Sequence, residues 1–241
     1  MRLFFQIVWE AILDILYPPF CCGCGRIGTY LCPNCYQTIN FIPLPLVLEL
    51  EPNYIDSVYV TAHYEGVLKK LIKTYKYKSV KDIGKVISSL IWYSTTLPKV
   101  DLISYIPLNK KKLNQRGFNQ TEIIAKELAL LMKVPFINTL SKIGKHGAQA
   151  SMNTKEERLN NLKGTFIIST QFKNYLQNEE INTDTKNEKQ KETNQNKNNK
   201  IESILLIDDV ITTGTTLNEA SKVLKEFGIK TIYGLTIAHG H

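Results

Sequence analysis

Apolar and polar positions follow two different periods along the chain. Short apolar runs bounded by turn residues predict buried strands, and residues 204–207 form the clearest of them. Apolar residues spaced three and four apart predict amphipathic helices, as at residues 217–228. The same pattern predicts strands at 56–64, 102–106, from near 165 and at 230–241, and helices at 66–94, in two pieces broken near residue 77, and at 118–133. Because strands and helices alternate, we expect an α/β fold with a parallel sheet flanked by helices.

The first 17 residues are apolar with one polar stripe. A polar residue recurs every four positions: Arg2, Gln6, Glu10 and Asp14. A helix would carry these residues on one side. Acidic residues inside the run, and two prolines that end it short of a membrane span, favour a docking helix at 1–17 over a signal peptide or anchor. The wide apolar face of this helix leaves peripheral membrane association as the alternative. We expect the protein to be cytoplasmic.

Two other segments differ in composition from the rest. Residues 41–55 are punctuated by prolines and predict a linker. Residues 171–200 are rich in Asn, Gln, Lys and Glu and are almost without apolar residues after Leu176. Such a segment cannot bury enough surface to offset the entropy of ordering it. We therefore expect a disordered insertion there, inside a main domain at 56–241.

All five cysteines lie in one short segment, CCGCGRIGTYLCPNC. Two pairs have the spacing Cys-x-x-Cys, and such knuckles can place four thiolates around a zinc ion. The predicted ligands of this zinc-ribbon-like module at 18–40 are Cys21, Cys24, Cys32 and Cys35. Cys22 is an alternative to Cys21 or Cys24, and a disulfide pair is a competing interpretation that a reducing cytosol disfavours. Four thiolates close the metal site, so we expect structural zinc or a partner-docking role.

The composition limits the size and the partners of the protein. A chain of 241 residues with 43% apolar content can bury one main core and a small accessory module. Lysine and arginine number 30 against 22 acidic residues, so the formal net charge is +8. This charge favours phosphorylated metabolites or nucleic acid as partners. A generally basic surface without a specific polyanion site explains the charge equally well.

The strand at 204–207 leads into two carboxylates and then a threonine-rich loop. The residues concerned are Asp208, Asp209, Thr212, Thr213, Gly214, Thr215 and Thr216. A helix that follows a parallel strand presents free backbone N–H groups and its positive dipole end to an anion. Carboxylates accept hydrogen bonds from sugar hydroxyls or help to hold a hydrated magnesium ion. The pattern therefore predicts a site for a sugar phosphate.

A second predicted strand, at 102–106, leads into a basic loop at 107–117. This loop carries Lys110, Lys111, Lys112 and Arg116 and precedes the helix at 118–133. A loop of this charge suits a more highly charged anion, such as a diphosphate. Together with the acidic pair, it indicates one ligand with a phosphate at one side and a diphosphate at the other.

These motifs resemble two known groups of proteins. ILLIDDVITTGTT is similar to the phosphoribosyl pyrophosphate (PRPP) signature of the type I phosphoribosyltransferases. The paired cysteine module, HYEGVLKKLIKTYKYKSV, IPLNKKKLNQRGFNQTEIIAKELA and IDDVITTGTTL together resemble the competence protein F family across nearly the whole chain. Members of that family couple an N-terminal zinc finger to a phosphoribosyltransferase domain, and several are linked to DNA uptake in natural transformation.

The resemblance implies a role for each matching residue. Asp208 and Asp209 would hold the ribose hydroxyls as the catalytic pair, and the loop at 212–216 would hold the 5-phosphate. Arg116, which begins the family's RGFN motif, and Lys112 would lie at the diphosphate. Three later positions of the family resemble Gln149, Arg158 and Asn161, with one extra residue in the spacing from Gln149. Magnesium would accompany PRPP, and zinc would be structural.

Three functions are open on these grounds. A transferase would displace pyrophosphate from PRPP while magnesium and the basic loop stabilise the departing diphosphate, with a nucleobase salvage enzyme as one version. A non-catalytic PRPP- or nucleotide-binding scaffold would instead bind single-stranded DNA, a helicase or other competence proteins. Tyr75 and Tyr77, set among lysines, would suit base stacking, although packing in the core explains such tyrosines more simply. A regulator that senses PRPP would need a duplex-binding helix, and the sequence contains no such motif.

Overall fold

The computed structural model describes residues 18–46, 50–78, 80–143, 165–186 and 201–240, with side chains described to residue 178 in the fourth range. The predicted docking helix at 1–17 lies outside these residues. No helix within the described ranges is long and apolar enough to cross a membrane.

The described residues form the predicted strands and helices together with several elements that the sequence pattern did not predict. The strands are β1 (Ser57–His63), β2 (Leu102–Tyr105), β3 (Leu140–Lys142), β4 (Phe166–Ile168), β5 (Ser203–Ile211) and β6 (Thr231–His239). The helices are α1 (Pro33–Tyr36), α2 (Gly66–Tyr77), α3 (Ile83–Ser94), α4 (Lys110–Arg116), α5 (Gln120–Met132), α6 (Thr170–Lys186) and α7 (Thr215–Phe227).

The main sheet is parallel, as predicted. Its four strands lie in the order β1-β6-β5-β2, and every neighbouring pair runs in the same direction. The two central strands, β5 and β6, are in register from Ser203 opposite Thr231 to Ile211 opposite His239. The carboxyl ends of β2 and β5 therefore meet at one edge, where α/β proteins bind ligands.

Both faces of the sheet are covered, and β5 shows how. Leu205 and Ile207 pack in a core formed with α2, α3 and α5, whereas Ile204 and Leu206 pack in a second core formed with α7 and β4. Alternate residues of a strand face opposite sides of its sheet, so a strand that feeds two cores is apolar throughout. This explains the unbroken apolar run at 204–207.

A small antiparallel pair, β3 with β4, lies beside the main sheet. It is tied to β2 through two buried hydroxyls, because Ser104 Oγ lies 2.8 Å from Thr139 Oγ1 and accepts the Thr139 N–H at 3.1 Å. The pairing of β3 with β4 places Lys142, at the end of β3, beside the ligand edge of the sheet.

The prediction of a loop throughout residues 107–117 is wrong for its second half, which forms helix α4. Asn109 caps this helix by accepting the Lys112 N–H at 2.8 Å, and Gly117 ends it in the left-handed region at φ +76°. An asparagine N-cap and a terminal glycine are ordinary helix signals. The three consecutive lysines between them carry no apolar periodicity, so the pattern did not predict a helix. The basic side chains are therefore displayed on a helix.

The prediction of disorder from residue 171 onward is also wrong as far as residue 186, because α6 occupies this stretch. Phe172 is fully buried and packs against Phe227 of α7 with ring centroids 5.6 Å apart. Tyr175 and Leu176 pack on the same core, so the spacing of the three residues is helical. Residues 187–200 lie outside the described ranges.

The cysteine segment and the following linker both contact the main domain. Cys32 precedes the single turn of α1, and Val67 of α2 packs against the cysteines. The linker runs antiparallel along β1, with Leu46 and Val58 exchanging backbone hydrogen bonds of 2.6 and 2.8 Å. The outer side of β1 is therefore paired in part by the linker.

Candidate functional site

The loop between β5 and α7 is shaped to receive an anion. Strand β5 continues to Ile211, two residues past the acidic pair, and Gly214 then adopts φ +74° as the N-cap of α7. Glycine has no side chain to accept the first N–H groups of the helix, and among the described residues the Thr215 N–H makes only a long contact of 3.5 Å with Thr213 Oγ1, so the start of α7 can donate to an anion. Thr213 Oγ1 and Thr215 Oγ1 lie 2.8 Å apart and add hydroxyl groups to the same turn.

Asp208 and Asp209 lie within β5 and face opposite sides of the sheet. Asp209 continues the face of Leu205 and Ile207, and its Oδ2 lies 2.6 Å from Lys76 Nζ of α2. Asp208 continues the other face, toward Lys142. Asp208 Oδ1 accepts the Asp209 N–H at 2.8 Å, and among the described residues its Oδ2 has no hydrogen-bond partner.

The electrostatics of the two carboxyls differ. Burial, and next the charge of Asp209, raise the pKa of Asp208 from its ordinary 3.8 to about 7. The Asp209 N–H and the ammonium groups of Lys76 and Lys142 act in the opposite sense on this pKa. Within the described ranges, Asp209 is paired with a cation, whereas Asp208 is a largely buried carboxyl with one oxygen that no hydrogen bond occupies.

The basic residues come from the strand next to β5. Ile106 donates its N–H to the Ile207 carbonyl at 2.9 Å, so the chain that enters α4 leaves the sheet directly beside Asp208. Burial, and next the positive charge of Lys112, lower the pKa of Lys142, which Asp208 opposes. Lys142 is therefore close enough to both Lys112 and Asp208 for their charges to act on it, and it lies between the basic helix and the acidic pair.

Arg116 is held at the start of α5. Its Nη1 donates to Gln120 Oε1 at 2.9 Å, and its guanidinium carbon lies 5.9 Å from the centroid of the Tyr77 ring. Tyr77 is 71% exposed, whereas Tyr75 is fully buried and packs against Phe118. Base stacking on Tyr75 is thus excluded, and core packing explains that residue.

Sequence reasoning gives no sign of Lys142 as a member of this site, and it offers Lys76 only as one of several lysines at 69–85 that could line a polyanion site. Lys76 belongs to a run of lysines that a solvated helix face explains equally well, and the sequence contains no signal that pairs it with Asp209. Lys142 is a single lysine in a short strand. Gln149, Arg158 and Asn161, three of the residues implied by the resemblance, lie outside the described residues.

The four predicted zinc ligands converge. The Sγ atoms of Cys21, Cys24, Cys32 and Cys35 all lie within 4.8 Å of one another. Sulfur atoms of a tetrahedral zinc site lie about 3.8 Å apart, given Zn–S bonds near 2.3 Å, so the cluster fits zinc. All five cysteines are free thiols, and Cys22 packs against the main core outside the cluster.

The thiols already respond to this arrangement. Burial raises the pKa of Cys21, but hydrogen bonds from the backbone of Cys24, Cys32 and Gly23 and from the Cys35 thiol outweigh this effect and lower the pKa to about 6. Burial raises the pKa of Cys35 to about 12. Zinc binds its sulfur ligands as thiolates, so a bound zinc ion would deprotonate all four thiols despite the difference between their pKa values.

The comparisons with known proteins agree with the fold and the site. The phosphoribosyl transferase domain family matches residues 116–240. This is more than half of the chain, and the protein belongs to that family. Its described fold, a parallel sheet flanked by helices with an N-terminal cysteine module, is the one predicted from the sequence.

Similar proteins extend the likeness beyond the domain. Competence protein F of Haemophilus influenzae is 27% identical over 222 residues, which cover 89% of this chain and 82% of that protein. Competence protein ComFC of Streptococcus pneumoniae is 26% identical over 208 residues, covering 86% and 80%. DNA utilization protein YhgH of Escherichia coli K12 is 23% identical over 217 residues, covering 86% and 83%. The predicted resemblance to the competence protein F family is confirmed.

Proposed function

We propose that this protein binds PRPP and acts in the uptake or use of DNA in the cytoplasm. The observation that carries the proposal is the edge of the sheet where the acidic pair and the threonine loop of β5 meet the basic helix that follows β2. The role in DNA is supported by the names of the similar proteins, which are competence and DNA utilization proteins.

Each part of PRPP has a matching part of the site. The N–H groups at the start of α7 and the threonine hydroxyls of residues 212–216 would bind the 5-phosphate. Asp208 would accept a hydrogen bond from a ribose hydroxyl through its free Oδ2, beside Asp209. Lys112, Lys142 and Arg116 would face the diphosphate. Magnesium would enter with the diphosphate and add positive charge to it, and zinc would hold the cysteine module together.

If the protein is also an enzyme, these residues suit departure of pyrophosphate from the anomeric carbon. The ribose gains positive charge as the C–O bond breaks, and the carboxylates beside it would stabilise that charge. The lysines would stabilise the negative charge that develops on the departing diphosphate. A base or another acceptor would then attack the anomeric carbon.

Calorimetry with PRPP and magnesium tests the proposal. We expect saturable binding by wild-type protein and its loss in Asp208→Ala, while Asp82→Ala, at an exposed carboxyl of the same charge, binds as wild type does. No binding by wild-type protein would refute the site. A screen of nucleobases for pyrophosphate release then separates an enzyme from a binding protein.

A second function, single-stranded DNA binding by a non-catalytic scaffold, is favoured by one observation. Tyr77 is exposed and Arg116 lies over its ring, an arrangement on which a base can stack. We expect the affinity for an oligonucleotide to fall with salt and to weaken in Tyr77→Ala but not in Tyr93→Ala, at another exposed tyrosine. Binding that is independent of salt would contradict this function.

A further inference from the structure

The last turn of α2 contacts the candidate site through three consecutive residues. Tyr75 donates its hydroxyl to the Gln120 carbonyl at 2.9 Å, Lys76 pairs with Asp209 at 2.6 Å, and the Tyr77 ring lies under Arg116. Successive residues of a helix point about 100° apart, so one turn reaches both the RGFN segment and the acidic pair. This turn lies outside the residues that match the phosphoribosyl transferase domain family.

The contact of Lys76 with Asp209 is sheltered from water. Their side chains are 14% and 21% exposed, whereas the nearby pair of Lys85 with Asp82 is 67% and 70% exposed at 3.8 Å. Exposed ion pairs, such as Lys85 with Asp82, contribute little to the stability of the fold. A buried charge that loses its partner destabilises the fold strongly. The ion pair of Lys76 with Asp209 is therefore expected to contribute to the stability of the fold.

Lys76 also completes the set of contacts to the Asp209 carboxylate. Asp209 Oδ1 accepts the Val210 N–H at 2.6 Å, and Oδ2 meets Lys76, so both oxygens are fixed. The carboxylate then has one orientation. In contrast, Asp208 has one fixed oxygen, and no side chain or backbone group of the described residues occupies the other.

The position of Lys76 is set by the residues around it in α2. Tyr75, its neighbour, is fully buried between Phe118 and the start of α5. At the other end of α2, Val67 packs against the cysteine module. A helix fixed at both ends presents Lys76 at a defined height above the sheet, and rigid supports of this kind are what hold a binding residue in place.

We propose that Lys76 is a positioning residue of the ligand site, which holds the Asp209 carboxylate in one orientation, toward the ribose half of the ligand. This inference rests on the proposed function. It differs from the role of Lys112 and Lys142, because Lys76 acts through Asp209 and not on the diphosphate.

Two ligands separate these roles: PRPP, and ribose 5-phosphate, which lacks the diphosphate. We expect Lys76→Met to lower the affinity for both ligands by about tenfold or more, as the loss of a hydrogen bond to a charged group does. Lys112→Met should lower the affinity for PRPP and leave the affinity for ribose 5-phosphate unchanged. Lys76→Arg should restore most of the affinity, and Lys73→Met, at an exposed lysine one turn earlier in α2, is the matched control.

A ligand-free measurement tests the pair itself. If Lys76 compensates the charge of Asp209, Lys76→Met should lower the unfolding midpoint, and Lys76→Met with Asp209→Asn should recover part of the loss, because the uncompensated charge is gone. Losses that simply add would show two independent residues and would overturn the inference.

The remaining outcomes are distinct from one another. Equal affinities of Lys76→Met and Lys73→Met for both ligands would overturn this inference alone. A loss in Lys76→Met that Lys76→Arg does not restore would also overturn it, because orientation by a cation would not be the cause. Wild-type protein that binds neither ligand would refute the proposed function and the inference with it.

Discussion

Replacing Asp208 by asparagine should make the protein more stable and unable to bind its ligand. Asparagine has the same shape, and its Oδ1 can still accept the Asp209 N–H, but it removes a carboxyl whose ionisation the folded protein disfavours. Functional sites often hold groups that reduce stability in this way.

The size of the effect follows from the pKa. The pKa of Asp208 rises from 3.8 to about 7 on folding, and each pKa unit corresponds to about 1.4 kcal/mol. At pH 8 the upper limit is therefore about 4 kcal/mol. A minor part of Asp208 is accessible to solvent, which reduces the effect, and we expect Asp208→Asn to add about 2 kcal/mol to the free energy of unfolding.

The dependence on pH has a definite sign. Between pH 4 and pH 7 the folded protein keeps the Asp208 proton and the unfolded chain releases it, so wild-type stability from this group falls as the pH rises. The advantage of Asp208→Asn should therefore grow from pH 4 to pH 7 and stay constant above it.

Urea unfolding of both proteins at several pH values measures this difference, with magnesium and PRPP absent. Asp82→Asn, at a 70% exposed carboxyl, serves as the control and should show no such growth with pH. An Asp208→Asn variant that is no more stable than wild type at pH 8, or whose advantage is the same at pH 5 and pH 8, would refute the reasoning.

Three further predictions concern the zinc module, the phosphate loop and α6. Cys24→Ser should abolish stoichiometric zinc in the purified protein by elemental analysis, and Cys22→Ser should retain it; equal zinc in both would contradict the assigned ligands. Gly214→Ala should cost about 1 kcal/mol of stability, because φ is +74° there, and should weaken PRPP binding in calorimetry. Gly228→Ala, with φ +110° at the far end of α7, should share the first effect only. Phe172→Ala should cost about 3 kcal/mol in chemical unfolding if α6 is packed as described, whereas a disordered segment would show almost no change.

Much of the main domain could be predicted because its signals are local. The apolar run at 204–207, the acidic pair and the threonine loop follow one another within thirteen residues, and the structure forms them as strand, turn and helix. The four zinc ligands were predictable for the same reason, since two Cys-x-x-Cys knuckles lie close together in sequence.

The contacts across the site could not be predicted, because they join distant residues. Lys76 and Asp209 are far apart in the chain, and only the packing of α2 on β5 brings them together. Lys142 reaches the site through the antiparallel pair of β3 with β4, which the sequence pattern did not predict. Helix α6 was missed for another reason, since its polar composition outweighed the spacing of Phe172, Tyr175 and Leu176.

The order of strands in the sheet determines what the matched family region can do by itself. Both outer strands, β1 and β2, precede residue 116, as do α2 and α3, which cover one face. A fragment of residues 116–240 would keep the two central strands and the phosphate loop with neither neighbour, and it would lose both Lys76 and Lys112. The N-terminal half is thus part of the same folding unit as the family region, and separate expression of that region should yield an insoluble or unfolded chain.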